Sequence, residues 1–118
     1  MTRRQFSPEY ITTAAHLLGV LSHETRLNIV LFLAQGAATV SEVCEQLGLV
    51  QSNASHHLSI LRTTGLVADQ REGQFVVYRI NIPVWRQAAD GFFDHLLEGS
   101  DGVTLQNFRI ERLREADG

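Results

Sequence analysis

Apolar positions recur at helical spacing through the first half of this chain, switch to a strand-like run near residue 66, and return to helical spacing near residue 82. Ser7-Pro8 opens a first helix, with proline where its missing N–H costs nothing. Ile11, Ala14, Ala15 and Leu18 form one stripe along it, and Tyr10, Leu17 and Leu21 a second. A helix apolar on two sides needs two partners, usually its own core and another subunit. Gly19 marks its expected end. Ser22 is the expected N-cap of a second helix, with Glu24 in the first turn. Its core stripe reads Leu27, Val30, Leu31 and Ala34, and Gly36 stops it. A third, short helix is capped by Thr39 or Ser41, carries Val40, Val43, Cys44 and Leu47 inward, and ends at Gly48. A fourth follows almost at once, over residues 51–64, with Gly65 behind it. Two short helices joined by a tight glycine-containing turn are a helix-turn-helix.

The fourth helix separates into two faces. Ala54, His57, Leu58 and Leu61 fall at i, i+3, i+4 and i+7, a mostly apolar stripe. Ser52, Ser55, His56 and Ser59 fall at the same spacing on another face, flanked by Gln51 and Asn53. Ordinary solvated helix faces are rich in Glu and Lys. This one is short, polar and free of carboxylate, which suits close approach to base edges and phosphates in a DNA major groove. The plainer alternative is that Ser52 and Asn53 merely cap the helix. His57 belongs to the inward stripe, where packing and a hydrogen bond to the third helix are expected. Adjacent helical residues point about 100° apart, so His56 and His57 are poorly placed to share a metal ion.

Leu66–Gln70 and Phe75–Ile80 then read as two strands, and Gly73 between them supplies the positive φ of a short hairpin loop. A hairpin directly behind a helix-turn-helix is a wing. Asn81 and Pro83 start a last helix to about Leu97, whose face of Trp85, Ala88, Ala89, Phe92 and Leu96 is too large to leave in water. Beyond Gly99 the chain turns polar, and residues 104–115 form a short amphipathic helix or fray. The expected division is a winged helix-turn-helix DNA-binding and dimerisation domain over 1–98 and a polar tail or short extra helix over 99–118. The fold class is mainly α with a small β-hairpin wing, in the order α/α/α/α/β/β/α.

Charge refines this picture. The net charge of −3 argues mildly against a nucleic-acid partner. Its distribution does not: residues 50–82 carry Arg62, Arg71 and Arg79 against Asp69 and Glu72, giving +1, while residues 83–118 carry four Arg and seven acids, giving −3. Arg71 and Gln74, near the wing tip, are placed for phosphate or minor groove. Arg62 stands at the far end of the fourth helix, in reach of phosphate or of a carboxylate. One cysteine excludes an internal disulfide framework and fits a reducing cytoplasm. No run of about 18 apolar residues marks a membrane span, and the N-terminus lacks a signal peptide's apolar core. No phosphate loop, nucleophile elbow or HExxH motif points to an enzyme.

Leu-Ser-His-Glu-Thr-Arg-Leu at 21–27, Val-Ser-Glu-Val-Cys-Glu-Gln-Leu at 40–47 and Gln-Ser-Asn-Ala-Ser-His-His-Leu at 51–58 carry a resemblance. With Leu61-Arg62, Gly65-Leu66-Val67 and the Arg-Glu-Gly-Gln ahead of Val77-Tyr78-Arg79-Ile80, residues 14–97 resemble the ArsR/SmtB family of bacterial winged-helix repressors. The resemblance implies a homodimer paired through first and last helices, bound to an imperfect inverted repeat of double-stranded DNA. The DNA-contact set it supports is Gln51, Ser52, Asn53, Ser55, His56, Arg62, Arg71 and Gln74. The dimer set is Tyr10, Ala14, Leu17, Leu21, Trp85, Ala89, Phe92, Phe93 and Leu96. The family's third-helix metal site resembles Cys-x-Cys-x-x-Cys, and here those positions are Thr39, Ser41 and Cys44, one thiol where a soft metal needs two or three. Its last-helix zinc site resembles Asp-x-His with a later His-x-x-Glu or His-x-x-His, whereas Asp94, His95 and Glu98 stand here without a later histidine. No cofactor or metal is therefore expected, and the effector is not identified. Cys44 reads as a small core hydrophobe. The sharper alternative is a lone redox thiol acting on the helix pair. A further alternative is a winged helix used for protein–protein contact without DNA.

Overall fold

The computed structural model describes residues 5–88 and, beyond them, two strands at Gly102–Leu105 and Phe108–Glu111. The chain divides into two units, Met1–Val84 and Trp85–Gly118.

Helix α1 (Pro8–Leu21) starts where Ser7 Oγ accepts the Tyr10 N–H at 3.2 Å, with Pro8 in its first turn. It runs through Gly19, two residues past the expected stop. Glycine ends a helix when it takes positive φ, and Gly19 does not. Ser22 closes α1 rather than opening the next helix: its N–H and its hydroxyl both donate to the Gly19 carbonyl, at 3.3 and 2.7 Å. With Ser22 so engaged, the N-cap of α2 (Glu24–Leu33) is His23, whose Nδ1 accepts the Thr25 N–H at 3.2 Å.

The core face of α2 also differs from expectation. Ile29, Val30 and Leu33 are buried, while Leu27, Leu31 and Ala34 are exposed. Residues 29–33 are all apolar, so two stripes satisfy the helical period. The packing of α2 on α3 and α4 selects the one centred on Ile29.

Strand β1 (Ala38–Thr39) was not expected. Two residues are too few to show alternation, and the strand exists because Ala38 and Thr39 pair antiparallel with Tyr78 and Val77. Thr39 then caps α3 (Val40–Leu47) in a reciprocal box. Its hydroxyl accepts the Glu42 N–H at 3.2 Å, and Glu42 accepts the Thr39 N–H at 3.3 Å. At the far end Gly48 takes φ +66°, a left-handed conformation that costs glycine nothing, and the Leu49 N–H returns to the Cys44 carbonyl. That turn feeds α4 (Gln51–Thr63).

The wing is β2 (Val67–Glu72) and β3 (Phe75–Ile80). Glu72 pairs with Phe75, which leaves Gly73 and Gln74 as a two-residue loop, with Gly73 at φ +62°. The sheet order is β1-β3-β2. Asn81 fastens the end of β3 to the helix-turn-helix, its side chain donating to the Gly65 carbonyl at 2.9 Å. Ile29, Val43, Leu58, Leu61, Leu66 and Val67 form the fully buried centre, drawn from α2, α3, α4 and the root of the wing. Each such side chain contributes roughly 1.5–3 kcal/mol of burial.

Helix α5 is described over Ile82–Ala88 and contains Trp85. The expected continuation through Ala89, Phe92, Phe93 and Leu96, and the Asp94, His95 and Glu98 group, lie outside the described residues. In place of a helix over 104–115 the chain has β4 (Gly102–Leu105) and β5 (Phe108–Glu111), paired antiparallel with Val103 opposite Ile110 and Leu105 opposite Phe108. Val103, Leu105, Phe108 and Ile110 alternate with polar residues, a period of two that a helical reading of the same positions passed over.

Candidate nucleic-acid interface

The two faces of α4 are those the spacing separates. Ala54, His57, Leu58 and Leu61 are buried, and Gln51, Ser52, Asn53, Ser55, His56 and Ser59 are exposed. Val50, not Ser52 or Asn53, holds the N-cap position, and no side chain caps this helix. Ser52 and Asn53 thus stand inside the first turn with hydroxyl and amide free of a capping role. No Asp or Glu lies anywhere in α4, so the exposed stripe carries hydrogen-bonding groups and no negative charge. Helix α3 packs behind it, and the tight turn at Gly48 fixes the angle at which the stripe is presented.

Arg62 is on the same helix but is engaged elsewhere. Its Nη1 lies 3.3 Å from Asp69 Oδ2, tying the end of α4 to the first strand of the wing. Of the two roles open to it in the sequence, the structure shows the carboxylate. On the wing, Arg79 reaches Glu72 at 3.2 Å across the hairpin, which ties the base of β3 to the tip end of β2. Arg71 is exposed and sits opposite Val76, and Gln74 is exposed in the loop.

His57 makes no bond to α3. Its partners come from α2: Arg26 Nη1 lies 3.4 Å from His57 Nδ1, and the His23 ring lies 4.4 Å away, centroid to centroid. Arginine has no acceptor, so His57 Nδ1 accepts and its proton resides on Nε2. Arg26 is held from its other side, its Nε donating to the Val20 carbonyl at 2.6 Å. Burial first, then His23, Arg26 and His56, push the His57 imidazole below the ordinary histidine value of 6.5. Arg26 and His23 are participants that the stripe pattern does not disclose. Arg26 stands three residues before the apolar run that opens at Ile29, and only the tertiary fold brings it to α4.

Cys44 is half-buried on α3 and unpaired by disulfide. Among the described residues no group of three His, Cys, Asp or Glu side chains is arranged to hold a metal ion. No helix among them is long and apolar enough to cross a membrane. Of the expected dimer residues, Tyr10, Ala14, Leu17 and Leu21 are half-buried within the protomer. The other stripe of α1 leaves Ile11 and Leu18 exposed.

Residues 23–69, which contain the whole helix-turn-helix, match the model of bacterial regulatory proteins of the arsR family. The chain is 42% identical to the arsenical resistance operon repressor of Escherichia coli over 58% of its own length and 62% of that protein's. It is 28% identical to the transcriptional repressor SdpR of Bacillus subtilis over 70% of its length and 92% of the relative's. The match thus spans less than two thirds of the first of these relatives and nearly all of the second. Among solved structures it is similar to reduced HlyU from Vibrio cholerae, at 32% identity and a TM-score of 0.63, covering 76% of this chain and 93% of that one. It is also similar to the homodimeric winged helix-turn-helix DNA-binding domain of a possible ArsR-family regulator from Mycobacterium bovis. There the identity is 30% and the TM-score 0.61, covering 83% of this chain and 95% of that one.

Proposed function

The chain belongs to the ArsR family of winged helix-turn-helix DNA-binding transcriptional repressors, and from that premise we propose how it works. It acts in the cytoplasm as a homodimer that reads an imperfect inverted repeat of duplex DNA with the exposed stripe of α4. The observation that carries this is the opposition of faces on one helix: Gln51, Ser52, Asn53, Ser55 and His56 outward without a carboxylate, Ala54, His57, Leu58 and Leu61 buried behind them. Arg71 and Gln74 meet the backbone or minor groove from the wing. Arg62 serves as a brace to Asp69. The exposed Ile11 and Leu18 on α1 support pairing of two copies through the first helix and the C-terminal segment.

The protein works without the family's usual metal sites, because Thr39 and Ser41 stand where thiolates are needed. Selection of bound duplexes from a random pool tests the whole reading, repeated with zinc, with peroxide, and with chelator plus reductant. An inverted repeat whose half-sites lie about one helical turn apart supports it. Retention of any duplex without loss on raising salt from low to physiological strength sinks it, since phosphate neutralisation makes such binding steeply salt-dependent.

A further inference from the structure

His57 is the one buried polar or charged side chain among the described core residues, and it lies directly beneath the reading stripe. Its surroundings are unusual in sign. The titratable and charged groups acting on it are His23 and Arg26 from α2 and His56 from α4 itself, all cationic when charged. Two of the imidazoles are committed as acceptors. His57 Nδ1 accepts from Arg26, and His23 Nδ1 accepts the Thr25 N–H that caps α2. A proton on either Nδ1 converts the acceptor into a donor facing a donor. Arg26 has limited freedom to retreat, because its Nε is held on the Val20 carbonyl.

We propose that His23, Arg26 and His57 form a positioning cluster that seats the reading helix only while both imidazoles are neutral, so that acidification unseats α4 and releases DNA. Protonating His57 puts a second cation against Arg26 in a buried site. Protonating His23 removes the cap of α2, adds charge 4.4 Å from the same ring, and loosens the element on which α4 rests. The direction of the His57 shift agrees: its contribution to the seated state is complete above 6.5, where the imidazole is neutral folded or unfolded. It is lost progressively as pH falls below that value toward the lowered folded one. His56, on the outer face with its ring 5.4 Å from His57, acts with opposite sign, since its proton would attract phosphate.

The inference rests on DNA reading by α4, and the test separates the two. Fluorescence anisotropy of a duplex selected at pH 7.5 is followed to pH 5.5 at fixed ionic strength for three proteins. They are the native chain, His57→Gln, whose amide oxygen still accepts from Arg26, and His23→Asn, whose side chain still caps a helix. His56 is common to all three, so its effect cancels. Whatever each protein's affinity at pH 7.5, the readout is the ratio of Kd between the two pH values. Relative to either variant the native Kd should rise as pH falls, by at most about tenfold per pH unit for each proton excluded from the bound state. Each variant should flatten the profile. His23 is exposed, so His23→Asn carries the test if His57→Gln does not fold. Variants whose ratio of Kd between pH 5.5 and pH 7.5 equals or exceeds the native ratio overturn the cluster while leaving DNA reading intact. Loss of the whole far-UV helix signal in step with affinity also overturns it, because unfolding rather than unseating would then be the cause. A native chain that binds no duplex at pH 7.5 overturns both.

Discussion

Replacing Asp69 by Ala should make the protein bind DNA more tightly and with a steeper dependence on salt. In the native chain Asp69 Oδ2 holds the Arg62 guanidinium at 3.3 Å, with the two side chains 32% and 49% exposed. A pair this accessible contributes about 0–1 kcal/mol to stability, so losing it leaves the fold intact. The consequence for DNA is larger. Arg62, released at the end of the reading helix, becomes free for a phosphate. One added phosphate contact steepens the log–log salt slope by about 0.9, and two protomers by about 1.8. Across a fourfold change, from 50 to 200 mM, that slope corresponds to roughly twelvefold. The advantage of Asp69→Ala over the native chain should shrink by this factor between the two salt concentrations. Anisotropy titrations at four or five salt concentrations measure it. The removed negative charge would itself favour DNA, so the same substitution is made in an Arg62→Ala background. If Arg62 is the agent, most of the gain disappears there. A gain of equal size in both backgrounds, or an unchanged slope, refutes the reasoning. Arg62→Ala alone should leave the native salt slope unaltered, because the brace already withholds this arginine from the duplex.

Ser55→Ala or His56→Ala should relax base preference at one or two operator positions, costing roughly 1–3 kcal/mol, as read by competition among single-substitution duplexes. Equal losses on every duplex would place those side chains on phosphate instead. Arg71→Ala should weaken all sequences alike and flatten the salt slope by about one per protomer. A change in sequence preference alone would contradict the wing assignment. Val50→Ser should raise thermal stability, because Val50 is 72% exposed and leaves the N-terminus of α4 without a side-chain cap. A capping hydroxyl is worth about 1 kcal/mol, or roughly 4 °C in Tm for a domain near this size. No rise in Tm by calorimetry would show that backbone geometry at that position does not accept a cap.

Sequence pattern discloses structure best where a single partner decides it. Helix α4 has a buried face of one character and an exposed face of another, so its spacing alone separates Leu58 and Leu61 from Ser55 and His56. Helix α2 offers two apolar stripes, and only contact with α3 and α4 chooses Ile29 and Leu33 over Leu27 and Leu31. Strand β1 is two residues long and owes its existence to Tyr78 and Val77 across the sheet. Ser22 is the expected cap by residue type, but its hydroxyl is bonded backwards to Gly19, and the role passes to His23, which residue type does not suggest. The tail shows the same limit in another form, since Val103, Leu105, Phe108 and Ile110 fit a strand period that a helical reading of 104–115 ignores. The exposed stripe of α4 is legible because the proposed contact with DNA demands an absence, of carboxylate, that the sequence states directly. What governs the stripe is less visible. Arg62 is bonded to a wing residue seven positions on, and His57 to an arginine 31 positions back that also bonds the end of α1. Such ties join elements rather than pattern them. The chemistry that presents the reading helix therefore resides in side chains that no local periodicity marks.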